Sequence, residues 1–384
     1  MKLMRKMVVG LSLTATLIGV SGVAAGATAP TDSGWDDKVD TIVGQGSDTT
    51  YRVMGDLSLT YNAANGCVVA TADTGTAPNF TAPLSGDCVV TGQTSTFTKG
   101  NWDHDLVVNK YPVGSSQGVK ELLRGSVDFA RSSRPPKTSG ETGSTFWGYA
   151  KDGIAIVVMG GRTPFNITQA QAVGIWNCTI TDWNQLDNTL PSAPIYPYGM
   201  NPSSGTKASM DSFLGFDANS GACVKKLSTN AYPFENDVKQ LIDTPAPGTT
   251  LANSIWWGSY AELKTYAYKR QSADYMAIGG VEISNGSIAD NSYPIKRFVY
   301  HVTKSADVAP NGTGGTTGAT TGKPGAVRAF TEWMCKPKSQ HITSDYTNAS
   351  LYDINTATIT NNGFQRIPTI ERTNGGVCNI TVAP

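Results

Sequence analysis

The chain has 384 residues, 39% of them hydrophobic and 16% charged, with 30 Lys and Arg against 30 Asp and Glu. That length suits two domains of ordinary size. The balance excludes both an intrinsically disordered chain and a strongly basic nucleic-acid-binding one, and Gly 41 with Pro 20 stays below the low-complexity range.

The first residues read as an export signal: Lys2, Arg5 and Lys6 form a positive start, Val8 to Val20 an apolar run, and Ala25-Gly26-Ala27 a small-x-small cleavage pattern. This predicts residues 1–27 as a signal peptide and a mature chain beginning near Thr28, with 27 cations against 30 anions. The apolar run is shorter than the ~20 residues that span a bilayer. The first cysteine is Cys67, so no lipid anchor is evident. The expected location is extracellular or periplasmic.

Six cysteines in an exported chain favour disulfides over metal thiolates. Sequence proximity suggests Cys67 with Cys88, Cys178 with Cys223 and Cys335 with Cys378. With only three histidines, His104, His301 and His341, a His-rich metal centre is not expected. The cluster Asp103-His104-Asp105 reads as a solvated turn. No cofactor is implied.

In chain order, Thr41 to Val43 predicts a strand. It leads into the turn Gly44-Gln45-Gly46-Ser47-Asp48-Thr49-Thr50, after which Val53, Met54, Leu57 and Tyr61 recur at helical spacing. Residues 65–100, rich in Thr, Gly and Ser, read as a disulfide-clipped excursion. Strand, turn and helix then return as Leu106 to Asn109, Gly114-Ser115-Ser116-Gln117-Gly118 and Val119 to Leu123, with a further strand over Val127 to Ala130. A second lobe is expected from residue 146 to 286: Ile154 to Met159 as a buried strand, a capping-box helix from Thr168 through Trp176, and a strand over Ile195 to Tyr198. The turn Asn201-Pro202-Ser203-Ser204-Gly205-Thr206 follows, then a helix face of Met210, Phe213 and Leu214, and a last strand over Tyr275 to Ile283. Arg297 to Val302 reads as a strand returning to the first lobe, which takes residues 28–145 and 287–384. Residues 306–325 read as a Gly/Thr-rich linker, followed by an amphipathic helix carrying Val327, Phe330, Met334 and Cys335. The expected class is α/β, with two lobes joined by two crossings.

Three Gly/Ser/Thr turns each stand between a strand and a helix start. Hydroxyls and free backbone N–H groups at a helix N-terminus form a donor-rich cup that suits an oxyanion. Ser and Thr are also ordinary N-caps, so one such turn means little. Three in one chain, with Arg131-Ser132-Ser133-Arg134 directly after a strand, point to convergence on one anion.

Gly114-Ser115-Ser116-Gln117-Gly118-Val119-Lys120, Val127-Asp128-Phe129-Ala130-Arg131-Ser132-Ser133 and Ser203-Ser204-Gly205-Thr206 resemble, in order and spacing, the signature turns of phosphate-binding proteins that feed ABC transporters. Asp152-Gly153-Ile154-Ala155-Ile156-Val157-Val158, Ile175-Trp176 with Ile180-Thr181-Asp182-Trp183, and Tyr293-Pro294-Ile295 extend the resemblance from about Gly44 to Pro368. It implies a periplasmic-binding-protein-like fold of type 2. It further implies inorganic phosphate or a related oxyanion held between two lobes by hinge closure, delivery to a membrane permease, and no nucleic acid; a monomer is expected. Ser115, Ser204, Gly205 and Thr206 match family ligand contacts, and Ser47, Asp48, Thr49 and Thr50 match the first-lobe contact less closely. The candidate site also takes in Ser116 and Ser133.

Two positions depart from the family pattern. Ser133 stands where an aspartate is usual, and Met200 where an arginine is usual. In the family that carboxylate accepts a proton from phosphate and thereby rejects sulfate. Arg131 or Arg134 would be substitute cations and Asp48 a substitute acceptor.

Two other readings compete. GSSQG also satisfies G-x-S-x-G, so a secreted esterase would use Ser116 as nucleophile with Asp290 and His301 or His341. A non-transport scaffold or adhesive protein would merely retain the fold. Gly318 to Lys323 has a P-loop flavour, but its glycine spacing is short and Pro324 replaces the Ser/Thr. Trp256-Trp257 would stack a sugar or, more ordinarily, pack in a core.

Overall fold

The computed structural model describes residues 41–64, 67–68, 88–90, 96–97, 106–110, 112–228, 231–235, 238–265, 273–312, 315–335, 351–373 and 376–384. The signal-peptide reading, most of the 65–100 excursion, Asp103-His104-Asp105, His341 and the side chains of Cys67 and Cys88 lie outside the described residues.

The first half contains β1 (Thr41–Gly46), α1 (Tyr51–Ala64), the short β2 (Cys67–Val68), β3 (Cys88–Val90) and β4 (Thr96–Phe97), then β5 (Leu106–Asn109), α2 (Ser115–Arg124), β6 (Phe129–Ser132) and β7 (Ser144–Met159). Next come β8 (Asn166–Ile167), α3 (Gln169–Trp176), β9 (Tyr196–Pro197), α4 (Gly205–Leu214), α5 (Val238–Asp243), β10 (Ser254–Ser259) and α6 (Tyr260–Thr265). The chain closes through β11 (Ala273–Tyr275), β12 (Ala277–Ile278), α7 (Asn285–Ala289), β13 (Lys296–Lys304), β14 (Val308–Pro310), β15 (Thr316–Gly318), α8 (Gly322–Cys335), α9 (Leu351–Asn361), β16 (Gln365–Arg366) and β17 (Asn379–Val382).

The main sheet runs β5-β1-β6-β13-β7-β10-β9 among the described residues, with β11, β16 and β17 also pairing with β7. β1 lies parallel to β5 and β6, whereas β13 is antiparallel to β6 and β7. The 16 residues of β7 are all buried, as a strand covered on both faces must be. Its first half pairs with β16 and β17 and its second half with β10 and β11. Hydrophobic packing divides accordingly. One core gathers side chains between Ile154 and Ile295, including Trp176, Trp183, Trp256 and Trp257. Two smaller clusters on opposite faces of the other half collect around Phe129, Val299 and Phe330 and around Val119, Leu122 and Val302. Trp256 and Trp257 are thus core residues, with Trp257 edge-on to Trp176. The α/β class and two-lobed plan expected from the alternating patterns are present, and the chain crosses between the cores along β7 and returns along β13.

Local signals account for most elements. Thr168 and Gln171 form the expected capping box of α3, and Ser204 caps α4 by accepting from the Thr206 and Lys207 amides. α2 begins at Ser115, earlier than the apolar spacing from Val119 implied, because Gly114 at φ 87° supplies the sharp entry that an L-residue resists. The strand expected over Tyr275 to Ile283 is instead two short ones: Gly279 and Gly280 both take positive φ and turn the chain after Ile278. The expected linker at 306–325 contains the hairpin of β14 and β15 and the first residues of α8, with Thr316 Oγ1 bonded to Glu332 and Arg328 Nε. Disulfides join Cys178 to Cys223 and Cys335 to Cys378.

α2 meets β1 so closely that a Cβ on Gly118 would stand 2.3 Å from the Gly46 Cα. Gly118→Ala is expected to lower unfolding free energy by about 1–3 kcal/mol through overpacking, read as a shift of the urea midpoint at unchanged slope.

Candidate functional site

The ends of β1, β5 and β6 and the start of α4 bring the three Gly/Ser/Thr turns into one buried knot. Ser133, after β6, sits at its centre: Ser47 Oγ approaches Ser133 Oγ at 2.9 Å, Thr49 Oγ1 at 3.3 Å and Ser115 Oγ at 3.3 Å, while the Ser133 amide donates to Ser115 Oγ at 3.0 Å. From the other lobe, Thr206 Oγ1 meets Thr49 Oγ1 at 2.9 Å, and the Ser203 carbonyl accepts from the Ser116 amide at 3.1 Å. Ser47, Thr49, Thr50, Ser115, Ser133 and Thr206 are fully buried. Gly205 is required by proximity, because a Cβ there would lie 2.4 Å from both Ser115 Oγ and Ser133 Oγ.

A cation enters from β13. Arg297 Nη1 donates to Thr206 Oγ1 at 2.8 Å and to the Ser133 carbonyl at 3.1 Å, and Nη2 reaches Thr49 Oγ1 at 3.4 Å. Its partner is Asp152 on β7, whose Oδ2 accepts from Nη2 at 2.9 Å and Nε at 3.2 Å. The two residues face each other in the β13–β7 ladder. Asp152 Oδ1 also accepts from the Ala261 amide. Buried charges persist when paired and hydrogen-bonded in this way.

Two further carboxyls complete the site. Glu235 accepts at one oxygen from the Ser259 amide at 2.6 Å and at the other from Thr49 Oγ1, with Arg297 3.9 Å away. Its own amide donates to Asp48 Oδ2 at 3.0 Å. Burial, and next the Asp48 charge, pushes the Glu235 carboxyl up to about 7; burial likewise raises Asp48. Chemically, the site offers hydroxyl donors and one guanidinium to an oxyanion, with carboxyls that accept a proton.

The family model described as a PBP superfamily domain matches residues 31–338. The chain belongs to the PBP superfamily. No curated protein matches it. Among solved structures it is similar to a protein from Clostridium perfringens described as a phosphate ABC transporter substrate-binding protein with bound phosphate. That pair shares 17% identity at a TM-score of 0.55, over 86% of this chain and 100% of that one. It is also similar to an ABC-type phosphate transport receptor from Vibrio cholerae, at 20% identity and a TM-score of 0.45, over 69% of this chain and 87% of that one. At such identities the likeness is one of fold, and only the Clostridium perfringens comparison bears on it.

Within this PBP superfamily chain, the two arginines considered as substitute cations, Arg131 at the end of β6 and Arg134 just after it, make other contacts. Fully buried Arg131 turns under the first turn: it donates to the Gly44 and Ser47 carbonyls and to Asn109, and stacks over Tyr51. Arg134 makes a two-pronged pair with Glu141 and only reaches the knot's margin, 3.4 Å from Ser116 Oγ. Arg134 also lines, with Lys137, Phe213 and Arg297, a cavity of about 720 Å³ beside the site. Ser204 spends its hydroxyl on its own helix start and on Met200 Sδ at 3.1 Å, so the methionine at the departed position packs rather than charges the site. Asp48 does reach the site, through Glu235. Arg297, Asp152 and Glu235 were not assigned to the site from sequence. The first two lay within recognised strand motifs, and Glu235, on a loop between α4 and α5, carries no local signature.

Among the described residues the esterase geometry is not assembled. His301 packs between Phe129 and Phe330, its Nε2 bonds Thr331 Oγ1, and burial lowers its pKa to about 3. Ser116 Oγ instead accepts from Arg134, and Asp290 lies at the surface as the C-cap of α7.

Breaking the Arg297–Asp152 pair leaves a buried uncompensated charge. Asp152→Asn is expected to cost about 3–5 kcal/mol, and Arg297→Gln in the Asp152→Asn background to cost less than it does alone. Urea denaturation of the four-membered mutant cycle measures this.

Proposed function

We propose that this protein is an exported solute-binding protein that captures inorganic phosphate, or a closely related oxyanion, between its two lobes and hands it to an ABC permease. The observation that carries this reading is the convergence of Ser47, Thr49, Ser115, Ser133 and Thr206, from turns far apart in the chain, on one buried point that Arg297 also reaches. In the bound form these hydroxyls would exchange their mutual contacts for ligand oxygens, with Gly205 leaving the space for close approach. Arg297 takes the role of binding cation. Phosphate is the favoured ligand because the solved relative from Clostridium perfringens is described with phosphate bound and the three turns resemble that family's. The two moving bodies would be residues 28–145 with 287–384 and residues 146–286, and residues 1–27 would direct export. Binding is non-covalent, so no catalytic residue is assigned.

A ligand that binds only the folded state raises its stability, by about 2.7 kcal/mol at a hundredfold excess over Kd. Phosphate is expected to raise Tm in a saturable way without being turned over, and Thr206→Val to weaken it about 10-fold to 150-fold by removing a bond to a charged group. Calorimetric titration of both proteins checks this. A flat Tm across phosphate and arsenate would refute the reading, and labelling of Ser116 by a fluorophosphonate would revive the esterase.

A further inference from the structure

The cavity of about 720 Å³ beside the knot has the size usual for a small-molecule site. Three elements line it: the segment after β6, with Pro135, Pro136 and Lys137; α4, with Ser212 and Phe213; and β13, with Lys296, Phe298 and Tyr300. The three β13 residues alternate along the strand and so share one of its faces. Cavity charge is unbalanced. Three of the lining cations are already paired, Arg134 with Glu141, Lys151 with Glu371 and Arg297 with Asp152. Lys137 and Lys296 remain, both exposed and without a carboxylate partner among the described residues. Lys296 Nζ instead donates to the Asn291 carbonyl at 3.0 Å.

Tyr300 adds an unspent donor. It is 3% exposed, with its ring edge-on to Phe146 and Phe298, and its hydroxyl bonds no other described residue. Burial pushes the phenol up, which keeps it protonated and able to donate. Buried donors ordinarily have a partner, and this one belongs to a residue lining open space. The knot, by contrast, is tightly filled around Gly205 and has no room for a ring.

We propose that the cavity is a second ligand site, separate from the hydroxyl knot, that takes a flat aromatic carboxylate. Its ring packs against Phe213, Phe298 and the proline faces. The carboxylate, which only accepts, takes the Tyr300 hydroxyl and is balanced by the Lys137 and Lys296 point charges. A planar carboxylate is served by few donors, whereas a tetrahedral oxyanion suits the dense hydroxyl set of the knot.

Fluorescence titration of the full mature protein with 2-naphthoate tests this. One saturable site per chain is expected. Acetate, which lacks the ring, and 2-naphthalenemethanol, which lacks the charge, are expected to bind at least about tenfold more weakly. Excess phosphate leaves the naphthoate stoichiometry unchanged. Tyr300→Phe, which removes only the hydroxyl, weakens naphthoate about tenfold or more. The double variant Lys137→Gln, Lys296→Gln weakens it and flattens its dependence on salt, and Ser212→Trp, at an exposed position of α4, blocks it by filling the cavity. Absence of saturable naphthoate binding, equal binding of 2-naphthalenemethanol, or competition by phosphate would each overturn the proposal. So would unchanged affinity in folded Tyr300→Phe or Ser212→Trp protein. The three probes and the exposed lysine and serine positions decide the matter even if Tyr300→Phe does not fold. Naphthoate binding to a protein that fails to bind phosphate would uphold this site and sink only the transport reading.

Discussion

The pairing of Arg297 with Asp152 is the constraint around which the molecule is arranged. The two residues sit opposite each other on β13 and β7, the strands that join the halves, and their side chains emerge together at the boundary between the cores. A guanidinium buried there is expensive unless every donor is used. Asp152 takes two of its bonds, and the Ser133 carbonyl, Thr206 and Thr49 take the others. The cation is thereby placed where turns from both lobes end. The same ion pair that makes the crossing tolerable delivers the positive charge to the cleft.

Around it, short hydroxyl side chains allow backbones to approach closely. Ser133, where a carboxylate is usual in the resembling family, contacts three other hydroxyls, and Met200, where an arginine is usual, lies against Ser204. The charged groups at the knot are Arg297, Asp152 and Glu235.

Much of this was legible in the sequence because it depends on local chemistry. The glycine before Ser115, the capping box at Thr168 and the Ser204 turn each dictate how a helix begins, and the Ser47, Ser115 and Ser204 turns in that order point to a shared site. Strands such as Leu106 to Asn109 declared themselves by β-branched content. The Arg297–Asp152 pair and Glu235 were not legible, since their role arises from contacts across 145 and 187 residues of chain, and nothing near Glu235 distinguishes it from a surface glutamate. Arg131 is the converse case: its neighbours in sequence are ligand-like, and its side chain threads beneath them.

The uneven bordering of β7 has a mechanical consequence. On one side its companions β16 and β17 reach no further than Lys151, and β10 takes up pairing only from Ile154. Asp152 and Gly153 are therefore bordered by Arg297 and Lys296 of β13 alone. A rotation of one half against the other at this stretch would tilt the Asp152 carboxylate, and the guanidinium it holds would swing with it.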